Sequence, residues 1–182
     1  MRPDKQAPPD PLNTALSMLA RRPYSVAEMR RALERKGADS RQVQQVITRL
    51  RELRYLDDKK FAEHYASSLA RNRAFGRQRI RRELKAKLVD YHQIEPALTQ
   101  AFEETSEQDL LEKTLEKKIR TLRLPLTRAK LATLCQSLMR RGFRAADIMK
   151  AVRRRPELKP IADEQELIEE EGTEEENLKL GP

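Results

Sequence analysis

Residues 55–88 read YLDDKKFAEHYASSLARNRAFGRQRIRRELKAKL, and their reading decides the fold. The stretch predicts one helix entered through Leu56-Asp57-Asp58, a break at Ala74-Phe75-Gly76, and a second helix with a strongly basic outer side. Asp57 and Asp58 stand immediately before an apolar-periodic run. There a carboxylate accepts hydrogen bonds from the first free helix amides and suits the positive end of the helix dipole.

Working outward, the same unit recurs on both sides. Upstream, Ser25-Val26-Ala27-Glu28 has the form of a capping box, with Tyr24 and Met29 at the flanking staple positions. The helix it opens is expected to bury Val26, Met29 and Leu33 and to stop at Gly37, where a left-handed residue costs least. Asp39, with Gln42 three residues on, opens a helix whose apolar stripe is Val43, Val46, Ile47, Leu50 and Leu53. A short helix marked by Leu12, Ala15, Leu16 and Leu19 precedes both.

A shift of 51 residues lays Met29, Leu33, Asp39, Val43 and Ile47 on Ile80, Leu84, Asp90, Ile94 and Leu98. A shift of 105 lays Met29, Leu33, Val43 and Ile47 on Leu134, Leu138, Ile148 and Val152, and Lys36-Gly37 on Arg141-Gly142. Small helical units of this kind gain stability by packing on their neighbours. The sequence therefore predicts an all-α chain, an elongated tandem array of three three-helix repeats.

The expected boundaries are a disordered arm over 1–11, repeats over 12–57, 58–105 and 106–156, and a disordered acidic tail over 157–182. Helices of the third repeat are expected near 107–122, 127–141 and 144–154. Two irregularities stand out in the second repeat. Lys87-Leu88 replaces the Lys-Gly ending, so its turn should differ in geometry. Pro96 belongs in a first helical turn, so that helix should start later than Asp90.

Charge narrows the class of partner. Of 182 residues 37% are charged, against the ordinary quarter or so, and the net charge is +9. Residues 157–182 hold ten acids against Lys159 and Lys179, a net of −8, which leaves +17 on residues 1–156. A body so basic attracts polyanions, nucleic acid first among them, and a tail of opposite sign would shield it. The single Cys135 excludes a disulfide framework and a cysteine zinc site and suits a reducing cytoplasm. The N-terminus lacks an apolar core segment and no long apolar window follows, which argues against secretion and membrane insertion.

No catalytic constellation emerges. Asp57 and Asp58 have only Glu63 and His64 nearby, and His64 and His92 lack partners at ligand spacing, so neither a metal nor a cofactor is expected. The basic residues are the informative chemistry. With Ile80 and Leu84 facing inward, Arg79 and Arg82 face outward and Lys85 lies beside them. Arg71 and Arg73 end the preceding helix, Arg77 opens this one, and Arg153 and Arg154, with Arg155, close the third repeat. Arginine favours phosphate or carboxylate partners through paired hydrogen bonds. Aromatic residues are few, so backbone contact rather than base stacking is the expected mode, with steep salt dependence.

Taken with the repeats, Tyr55-Leu56-Asp57-Asp58 followed by Phe61-Ala62, Gly76 with Ile80, Glu83 and Leu84, and Arg141-Gly142-Phe143 resemble the RecX family, regulators of the bacterial RecA recombinase. Ser25-Val26-Ala27-Glu28-Met29 with Leu33 and Lys36-Gly37 extends the likeness, which runs from about residue 12 to 154. Leu88, where the family commonly has Gly, and the long acidic tail depart from it. The resemblance implies a cytoplasmic, monomeric, non-enzymatic protein that binds in the helical groove of the RecA–DNA filament. It would there restrain recombinase, ATPase and coprotease activities in homologous recombination, DNA repair and the SOS response. Single- or double-stranded DNA within the filament is an implied second partner. Two other readings of the same residues are a direct DNA-binding regulator of helix-turn-helix type and a helical adaptor for another acidic protein.

Overall fold

The computed structural model describes residues 10–160. Among them it has nine α-helices and no strand: α1 Pro11–Leu19, α2 Val26–Arg35, α3 Ser40–Glu52, α4 Asp58–Arg73, α5 Arg77–Ala86, α6 Tyr91–Glu104, α7 Glu107–Ile119, α8 Arg128–Arg140 and α9 Ala145–Arg153. The array of three-helix repeats is thus present. Most of the arm and of the acidic tail lie outside the described residues. Pro11 is already the first residue of α1, capped by Asp10. At the other end Pro156–Leu158 form one 3-10 turn that buries Leu158, so the pattern persists slightly past Pro156.

The helices fall into two compact units, Met1–Arg73 with Arg79–Ser106, and Ala74–Gln78 with Glu107–Pro182. In the first, Ala15, Met29, Leu33, Val43, Val46, Ile47, Leu50 and Leu56 form a core against which Leu12, Leu16, Leu19, Tyr24 and Val26 pack. Val26 is only half-buried, and Ala32 completes the buried face of α2. Leu53, assigned above to the stripe of α3, is 45% exposed because it is the C-cap residue, where the chain turns away. α4 packs along α6. Their buried faces include Ala62, Ala66 and Ala70 on one and Ala97 and Ala101 on the other, small side chains that let two axes approach closely.

Both capping boxes form: Ser25 Oγ accepts from the Glu28 amide at 3.1 Å, and Asp39 Oδ1 from the Gln42 amide at 2.8 Å. The two aspartates of the Leu56-Asp57-Asp58 motif divide their work. Asp57 Oδ1 accepts from the Lys60 amide at 3.1 Å and caps α4. Asp58 Oδ1 accepts from the Val26 amide at 2.8 Å, and so caps the first turn of α2 rather than its own helix. Beside it the buried Ser25 hydroxyl donates to the Lys87 carbonyl at 2.5 Å, and Lys87 Nζ reaches Glu28 at 3.1 Å. The start of α2 is thereby joined to both helices of the quoted stretch.

Two expectations about the second repeat are corrected. Leu88 does not change the turn. It adopts φ +60°, as Gly37 adopts +90° and Gly142 +95°. After α5 the Val89 amide donates to Leu84 at 3.2 Å and the Leu88 amide to Lys85 at 2.9 Å. The equivalent bonds after α2 run from Ala38 to Leu33 at 3.2 Å and from Gly37 to Glu34 at 2.9 Å. Those after α8 run from Phe143 to Leu138 at 3.4 Å and from Gly142 to Met139 at 2.9 Å. The ending also closes α3, where Tyr55 donates to Leu50 at 2.8 Å and Arg54, at φ +58°, to Arg51 at 2.9 Å, so one helix ending is used four times. Leucine in it costs about 1–2 kcal/mol of backbone strain, which the paired carbonyls and the burial of Val89 oppose. Nor does α6 start late: Asp90 Oδ1 accepts from the His92 amide at 2.8 Å, and Pro96 sits inside the helix. Pro96 is exposed, so the carbonyl it leaves unmatched, that of the exposed His92, faces water and the penalty is small.

In the second unit Leu110, Leu111, Leu115, Leu126, Leu134, Leu138, Phe143, Ile148 and Leu158 are buried. The segment 74–78 is bound into it by its backbone. Gly76 donates to Arg141 at 2.8 Å, Gln78 to the Gly142 carbonyl at 3.2 Å, and Arg77 to Glu107 Oε1 at 2.7 Å. A Cβ on Gly76 would stand 2.6 Å from the Gly142 carbonyl carbon and oxygen, so only glycine fits.

Candidate cationic interface

α5 exists because Ile80 and Leu84 give it one fully buried stripe, and that fixes what the other side shows. At 100° per residue Arg82 points directly away from the stripe, with Arg79 and Lys85 to either side. Arg82 and Lys85 are exposed and form no ion pair among the described residues. Arg79 is held to Glu83, Nη2 to Oε1 at 2.6 Å, a pair whose arginine is 41% exposed. An exposed i,i+4 pair contributes only about 0.3–0.5 kcal/mol. A second bond, from Arg79 Nε to the same Glu83 oxygen at 2.7 Å, fixes the direction in which the guanidinium is held.

The remaining candidates separate by what they touch. Arg71 lies 3.4 Å from Glu104 with both side chains exposed, and Arg73 is exposed at the end of α4. Arg77 belongs to the second unit, half-buried with its Nε 3.8 Å from Glu107, and anchors segment 74–78 there. Arg153 and Arg154 are exposed in the same unit at the end of α9. Neighbouring Arg155 is instead bound to Glu112 at 3.0 Å. Of the sequence motif, Leu56, Phe61, Gly76, Ile80 and Phe143 are buried, and Gly142 supplies a helix ending.

Two cations were not foreseen as structural. Arg81 makes paired bonds to Glu95, at 2.7 and 2.9 Å, that tie α5 to α6. Lys87 joins Glu28 and lies 5.9 Å above the Tyr65 ring. Among the described residues no group of three acidic, His or Cys side chains is arranged to hold a metal, and no helix is long and apolar enough to cross a membrane. Cys135 is partly buried on α8, and burial pushes its thiol up from the ordinary value.

Fold and surface together define a helical repeat protein whose most basic helix turns an arginine-rich face to solvent. Comparison with known proteins makes this specific. The family descriptions "RecX, first three-helix domain" and "RecX, second three-helix domain" match residues 12–50 and 57–98. The regulatory protein RecX of Cronobacter sakazakii is 31% identical over 75% of this chain and 87% of its own length. That of Chlorobaculum tepidum is 36% identical over 61% of this chain and 67% of its own. The match spans a smaller share, 57%, of the Oceanobacillus iheyensis relative. The crystal structure of RecX from Lactobacillus salivarius shares the fold, with a TM-score of 0.66 and 22% identity over 79% of this chain and 93% of that one. The chain belongs to the RecX family.

Proposed function

We propose that the protein is a non-enzymatic regulator that binds the RecA–DNA nucleoprotein filament in the bacterial cytoplasm. It would dock in the filament's helical groove and restrain recombinase, ATPase and coprotease activities during recombinational repair and the SOS response. Family membership supports the choice of partner. The observation that carries the choice of surface is the outward side of α5, where Arg82 and Lys85 stand exposed and unpaired beside Arg79, which is paired with Glu83. Arg71 and Arg73 on α4, and Arg153 and Arg154 on α9, are proposed as further contacts with acidic protomer surfaces or DNA phosphates.

The test measures ATP hydrolysis by preformed RecA filaments on single-stranded DNA, together with co-sedimentation. Wild type should bind and slow hydrolysis. Arg79→Ala with Arg82→Ala should weaken both while the helical circular dichroism persists. Unchanged binding by that variant would reject the assigned face. Tight binding to one duplex sequence with no effect on the filament would reject the filament reading itself.

A further inference from the structure

The first unit holds a groove of about 500 Å³ that the cationic face of α5 does not include. Leu19, Pro23, Tyr24, Tyr55, Phe61 and Tyr65 give it an apolar lining, with Arg54 and Lys60 at its margin. Half of the chain's eight aromatic residues therefore meet in one place, although they are spread over positions 24–65.

The rings are not laid out for nucleobases. Tyr24 has the Arg22 guanidinium 3.7 Å over its centre, and Phe61 and Tyr65 stack on each other at 5.5 Å. Tyr55, 59% exposed, is left as the open ring, whereas single-stranded nucleic acid is gripped by successive free faces. What remains is a largely apolar concavity, to which His64 and Ser68 add polar groups, of a size that takes a few side chains. Its margin is cationic. Arg54 and Lys60 are exposed and form no ion pair among the described residues. The carboxylate in the lining, Asp57, is committed to capping α4.

We infer that this groove is the docking site for an extended segment of a partner protein, carrying a bulky apolar side chain flanked by carboxylates. The apolar side chain enters between Tyr24, Phe61 and Tyr65, Tyr55 folds against it, and the flanking carboxylates meet Arg54 and Lys60. The inference concerns a different surface from the α5 face and holds whichever protein supplies the segment.

The test uses the full chain and a fluorescein-labelled peptide with a central Leu-Phe pair between glutamates, followed by anisotropy. Saturable binding is expected. It should be lost when the Leu-Phe pair becomes Ala-Ala or the glutamates become lysines. Tyr55→Ala and Lys60→Glu should each weaken it about tenfold, the scale of an anchor contact. Both side chains are exposed, so circular dichroism should not change, and Arg123→Ala in the second unit should bind as wild type. Absence of saturable binding, or binding indifferent to both groove substitutions, would overturn the inference. So would displacement of the peptide by an oligothymidylate whose own binding depends equally on Tyr55, since the groove would then belong to nucleic acid.

Discussion

Gly76 and Gly37 are glycines for different reasons, and substituting alanine at each separates the two. At Gly37 a Cβ meets nothing within 4 Å, but φ is +90°. Gly37→Ala should therefore cost only backbone strain, about 1–2 kcal/mol. At Gly76 the obstacle is space. The new Cβ would lie 2.6 Å from two Gly142 backbone atoms and 2.8 Å from the Phe143 nitrogen, none of which a side-chain rotation can move aside. Relief requires the segment to lift, which weakens the bonds from Gly76 to Arg141 and from Gln78 to Gly142. Overpacking costs about 1–3 kcal/mol, and each hydrogen bond adds about 0.5–1.5 kcal/mol. Gly76→Ala should thus lose about 2–6 kcal/mol, a large share of the roughly 5–15 kcal/mol that holds a domain together. Urea unfolding followed by far-ultraviolet circular dichroism reads this directly, since a loss of about 3 kcal/mol moves the midpoint by about 1–3 M. Tyrosine emission adds a second probe, because Tyr24, Tyr55, Tyr65 and Tyr91 all lie in the first unit. A Gly76→Ala midpoint within error of wild type, or shifted less than that of Gly37→Ala, would refute the close-approach argument.

Three further outcomes are expected. Asp58→Ala should destabilise by about 1–2 kcal/mol in the same unfolding assay, because the Val26 amide loses its acceptor; Asp58→Asn, which keeps a carbonyl oxygen, should recover most of that. Replacing Arg82 and Lys85 by alanine should flatten the salt dependence of binding to single-stranded DNA by about 1.4 in the logarithmic slope, at about 0.7 per phosphate contact; an unchanged slope would remove these two side chains from the interface. Deleting residues 161–182, which carry nine acids against Lys179, should tighten DNA binding at low salt and make little difference at high salt.

The fold was legible because its signals are local or periodic. Met29, Leu33, Val43 and Ile47 and their shifted counterparts are all buried, and Ser25 and Asp39 cap helices, as their neighbours in sequence announce. What escaped depends on pairing across sequence. Nothing near Asp58 says that its carboxylate serves Val26, 32 residues earlier. Nothing near Arg81 marks it as a tie to Glu95 rather than a member of the solvent-facing set. Leu88 misled for another reason: residue type suggests a turn geometry, but the carbonyls of Leu84 and Lys85 need partners and enforce it on whatever residue is there. The aromatic groove was invisible because its rings come from α4 and from the loops before α2 and α4. A scarcity of aromatic residues along the chain concealed their concentration in space.

The bond from Asp58 to the Val26 amide, with Ser25 reaching Lys87, bears on how such a chain can be cut or rebuilt. The first three helices borrow a terminus from their successor, so a fragment ending before Leu56 would leave an amide of α2 with water as its only acceptor. Copies of the unit are consequently not interchangeable beads. A duplication or deletion of one would have to carry its neighbour's aspartate along, which ties the lineage of the first copy to that of the second.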